Sequence, residues 1–171
     1  MKTIDINNEC DIETLRAGDA VSFSGVMYTA RDAAHKRFVE ALEKGEKLPI
    51  DLNGSAIYYA GPTPTREGEI IGSCGPTTSS RMDDYAPTLM DAGLRVMIGK
   101  GKRNSAVVES MIKNKAVYLI AVGGAAALIK SRITACEDVA YLDLGCEAVR
   151  KLTVRDLPLL VAIDSKGNSI L

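Results

Sequence analysis

Ala116-Val117-Tyr118-Leu119-Ile120-Ala121-Val122 is an unbroken apolar and aromatic run, followed at once by Gly123-Gly124 and a helix-forming segment over 125–133. Absence of alternation suits a strand covered on both faces, as at the centre of a parallel sheet. The two glycines let the chain turn tightly into the helix. Working outward, the same strand-then-helix unit recurs. Upstream, residues 95–98 read as a strand and 105–113 as a helix with Val108, Met111 and Ile112 inward. Residues 21–27 alternate as a half-buried strand does. From Asp32, the residues Ala34, Phe38, Ala41 and Leu42 share one helical face, and Gly45 supplies a stop. A short buried strand over 56–60 ends at Gly61-Pro62, and a helix from about Met82 ends near Gly93. Pro87 kinks that helix or marks a late start. Downstream, strand-like pieces at 139–142, 149–154 and 159–163 follow without helices between them, and 164–168 reads as a hairpin turn. Repeated strand–helix–strand units with helix-free strands at the ends predict an α/β fold with a mixed, partly parallel sheet. No internal linker divides the chain, so residues 1–171 are expected to form one domain.

Composition excludes several classes of function. A net charge of −1 gives no electrostatic case for nucleic acid. The longest apolar stretch, 116–129, is too short to span a bilayer. The start, Met1-Lys2-Thr3-Ile4-Asp5, carries no apolar export segment, so a cytoplasmic protein is expected. Cysteines at 10, 74, 136 and 146 lack C-x-x-C spacing, which argues against a metal site in this chain and for reduced, mainly buried thiols. Cys74 alone stands beside a segment of chemical interest.

That segment is Gly75-Pro76-Thr77-Thr78-Ser79-Ser80-Arg81-Met82-Asp83. Hydroxyls and free amides at a helix entrance suit an anion, and Arg81 adds a planar fork for a carboxylate or phosphate. The plain alternative is a helix cap by Thr78 or Ser79. Two further strand-to-loop positions carry cations: Arg31 in Tyr28-Thr29-Ala30-Arg31-Asp32, and Lys100 in Ile98-Gly99-Lys100-Gly101-Lys102. In open α/β sheets ligands gather beyond the carboxyl ends of strands. If the three loops converge, they offer two guanidiniums and an ammonium to a dicarboxylate. Alternatively, Arg31 pairs with Asp32 or a surface acid, and Lys100 and Lys102 are solvated loop charges. His35, the single histidine, has no nucleophile elbow to serve and reads as structural or surface.

These stretches, with Ala121-Val122-Gly123-Gly124-Ala125-Ala126 and the terminal Ala162-Ile163-Asp164-Ser165, occur in one order from about Leu15 to the C-terminus. In that order the chain resembles the β subunit, or C-terminal domain, of the class I iron–sulfur fumarate hydratases and the related L-tartrate dehydratases. The resemblance implies a swivelling β/β/α three-layer domain. It implies a 4Fe–4S cluster held by three cysteines of a partner α subunit, not by this chain, with the active site between the two parts in a hetero-oligomer. Arg31, Arg81 and Lys100 would hold the carboxylates of a small dicarboxylate substrate. Thr77 matches the threonine proposed to take the proton from carbon, or serves only as a hydrogen-bond donor to substrate. Cys146, in Leu144-Gly145-Cys146-Glu147-Ala148, stands where the family usually has methionine and is expected to pack. The segment Pro64-Thr65-Arg66-Glu67-Gly68 departs from the proline–glycine common in the family there, so Arg66 either alters which diacid fits or is a surface charge.

The reading that follows is half of a hydro-lyase site, most simply for hydration of fumarate to L-malate. L-tartrate dehydration is the runner-up, and a non-catalytic anion-binding module is the alternative from another class.

Overall fold

The computed structural model describes residues 1–6, 8–121 and 125–171. The turn expected at Gly123-Gly124 lies outside the described residues. Seven strands, β1 (Lys2–Ile4), β2 (Ala20–Thr29), β3 (Ala56–Tyr58), β4 (Val96–Gly99), β5 (Val117–Ala121), β6 (Ile133–Ala140) and β7 (Val149–Ile163), form one mixed sheet in the order β1-β2-β3-β4-β5-β7-β6. Strands β1 to β5 pair in parallel, whereas β7 runs antiparallel to β2, β5 and β6. Because β7 touches both β5 and β2, the pairings β2-β3-β4-β5-β7-β2 close a circuit. Strand β5 is therefore the junction between parallel and antiparallel halves, not the centre of a parallel sheet. Its unbroken apolar run still has the expected cause, since Tyr118 is buried in one cluster and Val117 and Leu119 in the other.

Helices α1 (Glu9–Thr14), α2 (Asp32–Glu43), α3 (Ala86–Asp91), α4 (Ser105–Asn114) and α5 (Ala125–Arg132) complete the fold. Val96 and Ile98 belong to a core with Phe23, Leu119 and Val161. Ile57, Met97 and Tyr118 point into a second core with Phe38 of α2, Leu89 and Met90 of α3, and Met111 of α4. In α4 the inward residues are Val107 and Met111, while Ile112 is 47% exposed. The helix starts at a side-chain cap in which Asn104 Oδ1 accepts from the Val107 amide at 2.9 Å.

Several boundaries move from expectation for local reasons. Pro87 stands in the first turn of α3, where its missing N–H costs nothing, so the late start holds. The pieces at 149–154 and 159–163 are one strand, β7. Asp156 takes a left-handed φ of 51° opposite the irregularity at Phe23/Gly25, and its amide bonds Ser24 Oγ at 2.9 Å. The strand expected at 139–142 lies instead over Ile133–Ala140, whose charged and exposed Glu137 and Asp138 hide its period. Helix α1 and strand β1 carry too little periodicity to be read beforehand. The terminal turn is confirmed: Ile163 bridges Ser169, and Asp164 and Asn168 close it backbone to backbone at 3.0 Å.

Candidate functional site

Register brings the candidate residues to one edge. Thr29 of β2, Tyr58 of β3 and Ile98 of β4 are aligned partners in three adjacent parallel strands. Two residues beyond each lie Arg31, Ala60 and Lys100. Ala60 bridges Pro76, and the Thr77 amide donates to the Tyr59 carbonyl at 2.7 Å. Thr78 bridges Lys100 in parallel. Arg31, Thr77 and Lys100 thus share the carboxyl edge of the sheet. Arg81 joins them by its ion pair with Asp32, the neighbour of Arg31 (Nη2–Oδ2 2.7 Å, Nε–Oδ2 2.9 Å).

The hydroxyl run does not form the helix-entrance cradle that its sequence suggests. Residues Ser79–Met82 make one 3-10 turn, and neither Thr78 nor Ser79 caps it through a side chain. Two of its amides are spent on the residues just beyond β3 and β4: Thr77 on the Tyr59 carbonyl, and Ser79 on the Lys100 carbonyl at 2.9 Å. Ser79 is fully buried, while Thr78 and Ser80 are exposed. The run serves as an extra bridge laid beside β4.

The cations differ in how they are held. Arg31 does not pair with Asp32. Its Nε lies 3.8 Å from Glu147 Oε1, too far for a hydrogen bond. Gly61 makes room for it: a Cβ there would stand 3.0 Å from Arg31 Cδ and 3.0 Å from the Cys146 carbonyl. Nη1 and Nη2 of Arg31 and Nζ of Lys100 make no hydrogen bond among the described residues. Three donor groups therefore remain available to an acidic ligand. Lys102 and Arg66 are exposed.

His35 is buried rather than at the surface. Its Nδ1 stands 2.8 Å from the Arg31 carbonyl, which can only accept, so the proton sits on Nδ1 and Nε2 is bare. Burial lowers its pKa to about 4, outweighing that hydrogen bond, and the Arg103 charge acts in the same direction as burial. Cys74 is buried and its thiol is pushed up to about 12, first by burial, so it is no reactive group. Cys146 is exposed, contrary to the packing expected of it, and Cys136 is half-buried.

Asp83 and Arg103 escaped the sequence reading. Both side chains are buried, paired at 2.7 Å. The guanidinium lies 5.2 Å from the Tyr59 ring centroid and 5.0 Å from that of Tyr118, and Nη2 reaches Tyr59 Oη at 3.3 Å. Asp83 also takes the Asn104 amide at 2.9 Å, at the entrance to α4. Nothing in a lone Arg-Asn dipeptide signals burial. Glu147, beside the Arg31 guanidinium, was likewise unmarked, while Asp32, weighed beforehand as a partner for Arg31, binds Arg81 instead. Among the described residues no three His, Cys, Asp or Glu side chains gather as metal ligands. Cys74, Cys136 and Cys146 do not fit an iron–sulfur cluster, because they do not gather as a set of three ligands and burial keeps the Cys74 thiol protonated. No described helix is long and apolar enough to cross a membrane.

Comparison with known proteins gives the family. The sequence model named Fumarase C-terminus matches residues 1–171. The chain is 42% identical over 166 residues to a Methanocaldococcus jannaschii protein named "Putative L(+)-tartrate dehydratase subunit beta", covering 94% of this chain and 85% of that one. It is 41% identical over 150 residues to the aerobic class I fumarate hydratase of Escherichia coli, covering 86% of this chain. It is 39% identical over 155 residues to fumarate hydratase 2 of Leishmania major, covering 90% of this chain. The chain spans only 27% of the length of each of these two hydratases. With a match along its full length, this chain belongs to the Fumarase C-terminus family.

Proposed function

We propose that this chain is the β subunit of a two-subunit iron–sulfur hydro-lyase that interconverts fumarate and L-malate. Residues 1–171 are read as one swivelling β/β/α three-layer domain of that type. The cluster belongs to a cysteine-bearing α subunit. The observation that carries the reading is the shared strand edge, where Arg31, Thr77 and Lys100 follow three adjacent parallel strands and Arg81 is tied alongside.

Removing water from malate takes a proton from C3 and hydroxide from C2. Negative charge then builds on the carboxylate beside C3, and cations fixed there lower the barrier. Arg31 and Arg81 offer planar forks for the two ends of a dicarboxylate, and Lys100 offers a point charge. Thr77 is the candidate to receive the C3 proton. A threonine hydroxyl is a weak base, so a neighbouring charge must assist it.

A second reading, L-tartrate dehydration, draws on the relative named as a tartrate dehydratase β subunit, 85% of whose length this chain covers. Tartrate carries one more hydroxyl than malate, so a few polar contacts decide between them. The test is anaerobic co-expression with the adjacent cysteine-bearing chain, assayed on fumarate, L-malate and L-tartrate in parallel. Turnover of fumarate and malate by the complex, absent from either chain alone, is the expected result. Turnover of tartrate alone selects the second reading. A cluster-loaded complex inert on all three removes both and leaves the anion-binding module.

A further inference from the structure

The loop carrying Lys100 is stapled by hydrogen bonds that start and end on it. The Lys100 amide lies 3.0 Å from Ser79 Oγ. Ser79 Oγ lies 2.8 Å from Tyr118 Oη, and Tyr118 Oη lies 2.9 Å from the Gly101 carbonyl. An amide only donates, a carbonyl only accepts, and each hydroxyl has one proton. One arrangement satisfies all three contacts. Lys100 donates to Ser79, Ser79 donates to Tyr118, and Tyr118 donates to Gly101. The Tyr118 phenol, pushed up to about 12 chiefly by burial, keeps its proton at neutral pH.

Sequence prepares this approach at Gly99. A Cβ there would fall 2.0 Å from Ser79 Oγ and 2.7 Å from Tyr59 Cδ2, so only glycine lets the two segments close. Ser79 also donates its own amide to the Lys100 carbonyl at 2.9 Å. Both backbone groups of Lys100 are therefore held by the residue two beyond Thr77. The Lys100 ammonium itself has no partner among the described residues, and a lysine stem is flexible. Anchoring the backbone is the means by which the fold limits where that charge is presented.

We propose that Ser79 and Tyr118 are positioning residues, which fix the Lys100 loop against the Thr77 loop so that Lys100 meets a substrate carboxylate. The substrate role rests on the function proposed above, but the staple can be tested without turnover. In the isolated chain, Tyr118→Phe and Ser79→Ala are expected to speed exchange of the Lys100 amide hydrogen by roughly tenfold or more, the equivalent of one lost hydrogen bond. Tyr118→Phe retains the ring beside Arg103, so far-ultraviolet dichroism should be unchanged; Ser79→Ala serves if that variant does not fold. Unaltered exchange in a folded variant overturns the staple.

In the co-expressed complex, Tyr118→Phe should raise KM for the diacid about fivefold to tenfold with less change in kcat. In a Lys100→Ala background the same substitution should change nothing further. An additive effect there, or a wild-type KM, overturns the positioning role. A wild-type complex that turns over no diacid counts against the proposed function alone, because amide exchange still judges the staple.

Discussion

The two flanks of the strand edge are built on opposite principles. On the β4 flank, Arg103 is buried among Asp83, Tyr59, Tyr118 and Met97, and both Asp83 oxygens are hydrogen-bonded. On the α2 flank, Arg31 Nε, Asp32 Oδ1, His35 Nε2 and Glu147 Oε1 are buried without a hydrogen-bond partner. A fully satisfied polar network over-determines its own geometry, whereas unpaired buried atoms leave hydrogen-bonding capacity unused. The first flank is a rigid platform. The second holds the Arg31 guanidinium loosely, in a place where an acidic ligand can still recruit it. Breaking the Asp83–Arg103 pair should therefore act on stability, and substitutions on the α2 flank on ligand chemistry.

Arg103→Leu should have the largest effect. It strands the Asp83 carboxylate, 7% exposed, against apolar and aromatic neighbours. Breaking a buried pair from one side costs about 3–5 kcal/mol, readable as a drop in the urea midpoint. Replacing both partners, Arg103→Leu with Asp83→Leu, should recover part of that loss. A single variant as stable as wild type would erase the contrast between flanks.

Arg81→Lys probes the other side. Arg81 is 51% exposed in its side chain and its pairing is with a partly exposed Asp32, so stability should shift by no more than about 1 kcal/mol. Turnover of the assembled complex should fall on the order of a hundredfold, since a point charge does not reproduce a planar fork. Unchanged kinetics remove Arg81 from the site; a large stability loss would show that the α2 flank is as structural as the β4 flank.

His35 sits where the flanks meet, ringed by Phe38, Tyr59 and Tyr85, with Asp32 and the Arg103 charge nearby. Its folded pKa, about 4, lies below the ordinary 6.5, so the unfolded chain binds the extra proton first. Stability from this group is complete above the unfolded value and is lost as pH falls toward the folded one. Between about pH 7.5 and about pH 5 the loss amounts to roughly 2 kcal/mol. Comparing urea midpoints of wild type and His35→Asn across that window isolates the histidine, because the carboxylates held low, such as Asp19 and Asp164, respond chiefly below it. A wild-type slope identical to that of the variant would mean that His35 is solvated on folding.

The contrast between flanks also explains what could be read in advance. Strands such as β4 and helices such as α2 announce themselves through apolar period, and the three cations stand out because each follows a strand-like run. Pairing is not local. That Arg81 binds Asp32, 49 residues away, depends on β2 and β4 lying on either side of β3. Burial of Arg103 is equally silent, since its cover comes from Tyr59, just beyond β3, and from Tyr118 of β5. Cys146 misled for the converse reason: the resemblance implied a packed position, whereas the residue stands at the exposed end of a 3-10 turn, Leu142–Glu147, with no buried side chain. The junction role of β5 was hidden because an apolar run reports burial of both faces and not the direction of its neighbours.

Glu147→Gln should have the smallest effect on the fold and so gives the sharpest limit on the comparison. The side chains of Glu147 and Arg31 are 29% and 23% exposed, and their closest atoms stand 3.8 Å apart without a hydrogen bond. A contact of that kind contributes under about 1 kcal/mol, so the urea midpoint should barely move. Glutamine preserves the shape beside Gly61 and Cys146 while removing the charge that faces Arg31. If the α2 flank is loose by construction, Arg31 stays available and the variant retains its fold with only a modest change in diacid KM. A loss of several kcal/mol would instead mean that Glu147 is a structural counter-ion equal to Asp83, and the two flanks would then be built alike.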